Sequence, residues 1–266
     1  MRRVLFGIVC FLIFITKAAS GQDTTGKYFT SFDGVKIYYE VKGSGYPAVL
    51  VHGFSGTSQG WKRGKLYGHL LNAGYKVIIM DLRGNGRSGK PHTDKAYAND
   101  AEVKDVMGLV SMLGIKHYDL VGYSRGSIIA SELIVHDQRV NKAVMGGMGA
   151  DYTNPQWPRR IHAYKALMGD TSFHDVDGMM AYIHSEHFDD LALALQQKYQ
   201  PSTSPKELLK IRKPVLIVRG TEDKGDGSET ELQKMIPGSK LVYVPGDHVG
   251  AFLAEQFSDA VIAFFK

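Results

Sequence analysis

The sequence predicts an α/β fold, a mostly parallel, doubly wound sheet carrying a small helical cap. Three observations predict it. Apolar runs of strand length alternate with segments whose apolar residues recur at helical spacing. Several runs end abruptly in turns rich in glycine, serine, aspartate or histidine. A block at about 150–205 then replaces this rhythm with helix-like pieces before the strands resume. Strands alternating with helices mean a parallel sheet covered on both faces.

The elements follow in order. Residues 27–31 and 35–41 flank Phe32-Asp33-Gly34, an Asp-Gly turn that predicts a hairpin. Residues 48–51 form a short buried strand ending at His52-Gly53, and residues 76–80 another ending at Asp81. Between them, residues 65–73 read as a helix stopped by Gly74. Residues 99–113 carry Val103, Val106, Met107, Val110 and Leu113 on one stripe, with Asn99 as the expected cap and Gly114 as the stop. The run 117–121 leads into Gly122-Tyr123-Ser124-Arg125-Gly126 and then a helix over 127–135. Residues 140–145 are the next strand. The interrupting block holds helical pieces at 161–168, 178–187 and 191–199, read as a cap over the strand ends rather than plain crossover helices. Strands return at 214–218 and 240–244, and a last helix runs over 251–264.

A chain of 266 residues, 44% hydrophobic and 22% charged, can bury one sizeable core. Residues 1–20 read differently. Arg2 and Arg3 precede an apolar run over 4–15, and Ala18-Ala19-Ser20 offers small residues for cleavage. This is the pattern of a secretory signal peptide, with export to the periplasm or beyond as its consequence. The run of about a dozen residues is short of the ~20 needed to span a bilayer, so no stable membrane anchor is expected after cleavage. The mature domain is then 21–266, with 21–26 a loose polar leader.

Cys10 is the sole cysteine, so the mature chain has no thiol for catalysis, disulfides or zinc. Arg2, Arg3 and Lys17 carry three of the +5 formal charges, and losing them leaves about +2. No basic cluster is interleaved with aromatics, so nucleic acid is not an expected partner. The order His184-Ser185-Glu186-His187 is not that of a His-Glu-x-x-His zinc site, and no metal is expected.

The chemistry centres on Ser124. A serine between two glycines at a strand–helix turn is forced into a strained conformation that lifts its hydroxyl clear of the sheet. A free hydroxyl is a poor nucleophile and needs a base. His248, in Pro245-Gly246-Asp247-His248, follows the last strand and can return to the same sheet edge. A carboxylate must hold its tautomer and offset its charge. Asp223, after the 214–218 strand, is the first choice, with Asp226, Glu222 and Asp151 as alternatives. An oxyanion needs preorganised N–H donors, expected from the amides of Phe54 and Arg125. Gly53 and Gly56 allow that first loop a close approach, and His52 is expected to be structural.

Gly122 to Gly126, the order Ser124, Asp223, His248 and the loop Asp81-Leu82-Arg83-Gly84-Asn85-Gly86-Arg87-Ser88-Gly89-Lys90-Pro91 together resemble the α/β-hydrolase superfamily over essentially the whole mature chain. The loop is similar to that of esterase, lactonase and haloperoxidase-like members, where it is structural. The resemblance implies a cofactor-independent serine hydrolase acting on small or medium carboxylic esters or lactones through an acyl-enzyme. A ligand-binding relative and a lyase on the same scaffold are the other implied readings. The serine nucleophile departs from the aspartate-based dehalogenases and epoxide hydrolases. His52-Gly53-Phe54 departs from the His-Gly-Gly-Pro turn of proline iminopeptidases. The side chain of Arg125 is expected either to bind an acidic substrate group or to form a salt bridge.

Overall fold

The computed structural model describes residues 24–266. The expected signal peptide, and residues 21–23 of the leader, lie outside the described residues. The strands are β1 Thr24–Thr30, β2 Lys36–Lys42, β3 Pro47–Val51, β4 Lys76–Met80, β5 Tyr118–Tyr123, β6 Val140–Gly146, β7 Val215–Gly220 and β8 Lys240–Val244. They form one sheet in the order β1-β2-β4-β3-β5-β6-β7-β8. The β1–β2 and β2–β4 pairs are antiparallel, and every other pair is parallel.

Side chains alternate across this sheet, so the central strands feed two cores. Val49 and Val51 of β3 enter one core, while Ala48 and Leu50 enter the other. The first core is closed by α3 (Ala101–Met112) and α4 (Arg125–His136) through Val106, Leu109, Ile129 and Leu133. The second is closed by α1 (Ser58–Arg63), α2 (Leu66–Asn72), α10 (His248–Leu253) and α11 (Glu255–Phe265) through Trp61, Leu70, Ala251 and Phe257. This is the doubly wound sheet that the alternation of runs predicts.

The remaining helices are α5 (Pro158–Leu167), α6 (Asp177–Ser185), α7 (Asp190–Lys198), α8 (Pro205–Leu208) and α9 (Glu229–Met235). Leu167, Ile183, Leu193 and Ala194 from α5 to α7 build a small core of their own. No helix among the described residues is long and apolar enough to cross a membrane.

Four details differ from expectation. The leader is already strand from Thr24, because Thr24 pairs with Val41 across an irregularity before Lys27. Asn99 does not cap α3; Asp100 occupies that position, both residues have φ 56°, and neither side chain takes a helix N–H. The last helix is two, broken at Ala254 where ψ swings to 143°. Helices α1, α8 and α9 are new, and the first amide of α1 is satisfied from outside the helix, Ser58 N donating to Asp81 Oδ1 at 2.6 Å. A helix of six residues capped from 23 positions away leaves little periodic signal.

The tightest packing is backbone on backbone. A Cβ on Gly122 would lie 2.2 Å from the Gly126 carbonyl oxygen, and one on Gly126 would lie 2.1 Å from that of Val51. Gly122→Ala must push α4 off the sheet and is expected to cost at least about 2 kcal/mol in urea unfolding. Gly60, with no atom within 4 Å of a built Cβ, is the control. Gly60→Ala is expected to be neutral or to stabilise by up to about 1 kcal/mol. Equal stabilities for the two variants would contradict this account of the turn.

Candidate active site

At the end of β5 the chain turns through Ser124, with φ 53° and ψ −128°, straight into α4. Positive φ is strained for a non-glycine residue, and here the flanking strands hold it. Ser124 N donates to Gly146 O of β6 at 2.7 Å. On the other side, a Cβ on Gly53 would lie 3.0 Å from Ser124 Cβ, so the turn after β3 passes directly against the serine.

That turn is fixed from behind. His52 is buried; its Nδ1–H donates to Gly53 O at 2.8 Å and its Nε2 accepts from Leu82 N at 3.0 Å. Burial holds the imidazole below its usual range, so it stays neutral in this structural role. Asp81 accepts from Arg87 N at 2.8 Å as well as from Ser58 N. Arg83, fully buried, pairs with Asp105 at 2.6 Å and Asp33 at 2.8 Å, which fastens the loop 81–91 to the hairpin and to α3. The Phe54 side chain packs into the small core of α5 to α7. The Arg125 amide opens α4, among the first N–H groups of a helix, which have no acceptor within it.

His248 opens α10, and its Nδ1 donates to Asp223 Oδ2 at 2.9 Å. Tyr123 OH donates to the His248 carbonyl at 2.7 Å, and the Tyr123 ring lies 5.5 Å from the imidazole. Arg219, buried in β7, donates from Nε to Asp223 O at 3.0 Å and from Nη2 to Gly225 O, and stands 3.5 Å from Asp223 Oδ1. Burial alone would raise the Asp223 pKa; the His248 hydrogen bond and the charges of His248 and Arg219 outweigh it and hold the carboxyl below its usual value. The sequence reading singled out neither Tyr123 nor Arg219. A charged residue inside the fully buried run Val215–Gly220 was the available signal for Arg219.

Ser124, Asp223 and His248 line one cavity of about 300 Å³, together with Arg125 and Phe54. Ser124, His248 and Phe54 also face a second, more aromatic cavity of about 560 Å³, walled by Trp61, Tyr182, Phe188 and Phe252. The two are arms of one cleft meeting at the serine. Trp157, Arg159, Ala163 and Met179 also line the smaller arm.

The other carboxylates divide clearly. Glu222 and Asp151 are exposed. Asp226, its side chain only 10% exposed, faces the smaller arm and meets Arg159 Nε at 3.4 Å. It makes no hydrogen bond to His248. Of the two roles expected for the Arg125 side chain, the structure has the salt bridge: the guanidinium is buried, forks onto both oxygens of Glu102, and donates to Gln196 O at 3.1 Å. His184 pairs with Asp190 at 3.2 Å rather than with His187. Among the described residues, metal-like spacing occurs at His69, Glu255 and Asp259, none of which lines the cleft.

Burial pushes the Asp226 carboxyl above its ordinary value of 3.8, against the pull of Arg159. Above that value, folding confines an ionised group where its charge is disfavoured; below it, the cost is absent. Asp226→Asn is therefore expected to raise Tm at pH 7, with a gain that shrinks as pH falls towards 3.8. A Tm at pH 7 no higher than that of the parent would contradict this.

Residues 46–175 match the family model described as the α/β-hydrolase fold. A putative non-heme chloroperoxidase of Synechocystis is 38% identical over 113 residues, 42% of this chain and 40% of that protein. The chain thus matches well under two thirds of that relative's length. A 2-hydroxy-6-oxononadienedioate/2-hydroxy-6-oxononatrienedioate hydrolase of Pseudomonas putida is 26% identical over 265 residues, 87% of this chain and 92% of that protein. Among solved structures, an esterase from Exiguobacterium antarcticum superposes with a TM-score of 0.75 at 24% identity, covering 90% of this chain and 99% of the other. That last likeness speaks for the fold alone. With the doubly wound sheet and the Ser124 turn, these similarities place the protein in the α/β-hydrolase superfamily.

Proposed function

We propose that the protein is a serine hydrolase of small to medium carboxylic esters or lactones. One observation carries the reading: the Asp223–His248 hydrogen bond stands in a cleft that also contains Ser124 on its strained turn. With Nδ1 held by Asp223, the His248 Nε2 is left to take the serine proton. Ser124 Oγ attacks the acyl carbon, and the Phe54 and Arg125 amides receive the oxyanion. His248 then protonates the leaving alcohol and activates the water that releases the acid. Asp223 holds the tautomer and offsets the imidazolium charge. Tyr123 positions His248 by tying down its backbone carbonyl. The scheme uses no cofactor.

Hydrolysis of p-nitrophenyl acetate and butyrate by residues 21–266 tests this. Ser124→Ala is expected to lower kcat by at least about 10³-fold. Asp223→Asn is expected to lower it by roughly 10³–10⁴-fold, because the wrong tautomer is then favoured. Glu222→Gln, changing an exposed neighbour, is expected to leave it within twofold, by about the scatter of surface substitutions. Turnover that survives Ser124→Ala would remove the mechanism. No turnover of either ester by the parent would favour a binding or lyase role.

Tyr123→Phe removes one hydroxyl that positions the base. A single hydrogen bond of this kind is worth about 1 kcal/mol, so kcat is expected to fall roughly fivefold with KM little changed. A rise in KM with kcat unchanged would assign Tyr123 to substrate binding instead.

A further inference from the structure

The smaller arm of the cleft carries one more positive charge than its own carboxylates balance. Three arginines line it, Arg125, Arg159 and Arg160, and Arg160 also borders a small neighbouring cavity with Pro155 and Lys198. Arg125 is taken up by Glu102, and Arg159 by Asp226 at 3.4 Å. Asp223 is engaged by His248 and Arg219. Arg160 meets only main-chain carbonyls: Nη1 donates to Gln197 O at 2.7 Å and Lys198 O at 3.3 Å, and Nη2 to Pro155 O at 2.6 Å. Of the five N–H groups of a guanidinium, Nε–H and one Nη2–H remain. Half-buried, the group pays for lost solvation with no counter-ion among the described residues, and its pKa is lowered accordingly.

Arg159 stands where the two arms meet, lines both, and is held only by its single contact with Asp226. The larger arm is aromatic on Trp61, Phe188 and Phe252. Arg63 and Glu186 also line the larger arm, whereas Arg160 lines only the smaller of the two.

We propose that the substrate is an ester or lactone bearing a second, free carboxylate, and that Arg160, with Arg159 beside it, receives that carboxylate in the smaller arm. This rests on the serine-hydrolase reading above. A carboxylate is the fitting partner because it is planar, accepts the parallel N–H groups a guanidinium presents, and cancels the surplus charge. The reaction stays a hydrolysis: the acyl C–O bond breaks, and water supplies OH to the acyl carbon and H to the alcohol. The arginines orient the substrate and take no proton.

Proton release during hydrolysis tests the assignment in matched pairs. Monomethyl glutarate against dimethyl glutarate, counted per ester, places the carboxylate on the acyl side. Acetylglycolate against acetylglycolamide places it on the alcohol side. In at least one pair the anionic ester is expected to have a kcat/KM about tenfold or more above the neutral one, as charge-assisted hydrogen bonds imply. Arg160→Gln is expected to bring that ratio down about tenfold, chiefly through the KM of the anionic ester. General loosening of α5 would slow both members of a pair and leave the ratio unchanged. Hydrolysis of the neutral esters with no preference in either pair, or a preference unaffected by Arg160→Gln, would overturn the proposal while leaving the hydrolase reading intact. Turnover of p-nitrophenyl acetate with none of the four esters hydrolysed would overturn the proposal alone, and no turnover of any of them would remove both.

Discussion

The structure depends on one close approach, that of α4 to the ends of β3 and β5. Gly122 and Gly126 let the helix start where any side chain would collide with backbone. That approach forces Ser124 to positive φ and presses it against Gly53 of the neighbouring turn. The strain at Ser124 is sustained because the parallel strands on either side, covered on both faces, cannot relax it. Everything proposed for this site needs the serine, the turn and the helix start in that one arrangement.

A second layer of polar groups holds the arrangement steady. His52, Asp81 and Arg83 bind the loop 81–91 behind the turn that carries Phe54. Arg219 does the same for the loop that carries Asp223, through two of its carbonyls. Buried charges of this kind add little net stability, but removing one partner strands the other. Their value here is geometric: they fix loops whose own sequences have no regular structure to hold them.

Phe54 links core and cap in one residue. Its amide belongs to the turn beside Ser124, while its ring packs with Leu167, Ile183 and Leu193. Arg159 and Asp226 make a second link from α5 to the loop after β7. A movement of α5 to α7 would therefore be felt at the amide beside the serine. The larger arm takes aromatic residues from α1, α6 and α10 and the segment after α6, and Arg159 of α5 lines both arms.

The local sequence was enough for the sheet and for the turns at its edge. Strands read as apolar runs, and each of Ser124, Asp223 and His248 comes within four residues of the end of one, so chain order alone placed them at the ends of strands. It did not separate Asp223 from Asp226, since the two differ by three positions in one loop and only the distance to His248 distinguishes them. Nor could it settle the side chain of Arg125, whose partner Glu102 is 23 residues away on another helix. Tyr123, Arg219 and the lone charge of Arg160 became visible for the same reason: their partners are main-chain atoms or distant side chains. Periodicity reports which face of an element is buried. Which charges meet inside the fold is decided only when the elements pack, because electrostatic partnership depends on distance in space and leaves no pattern along the chain.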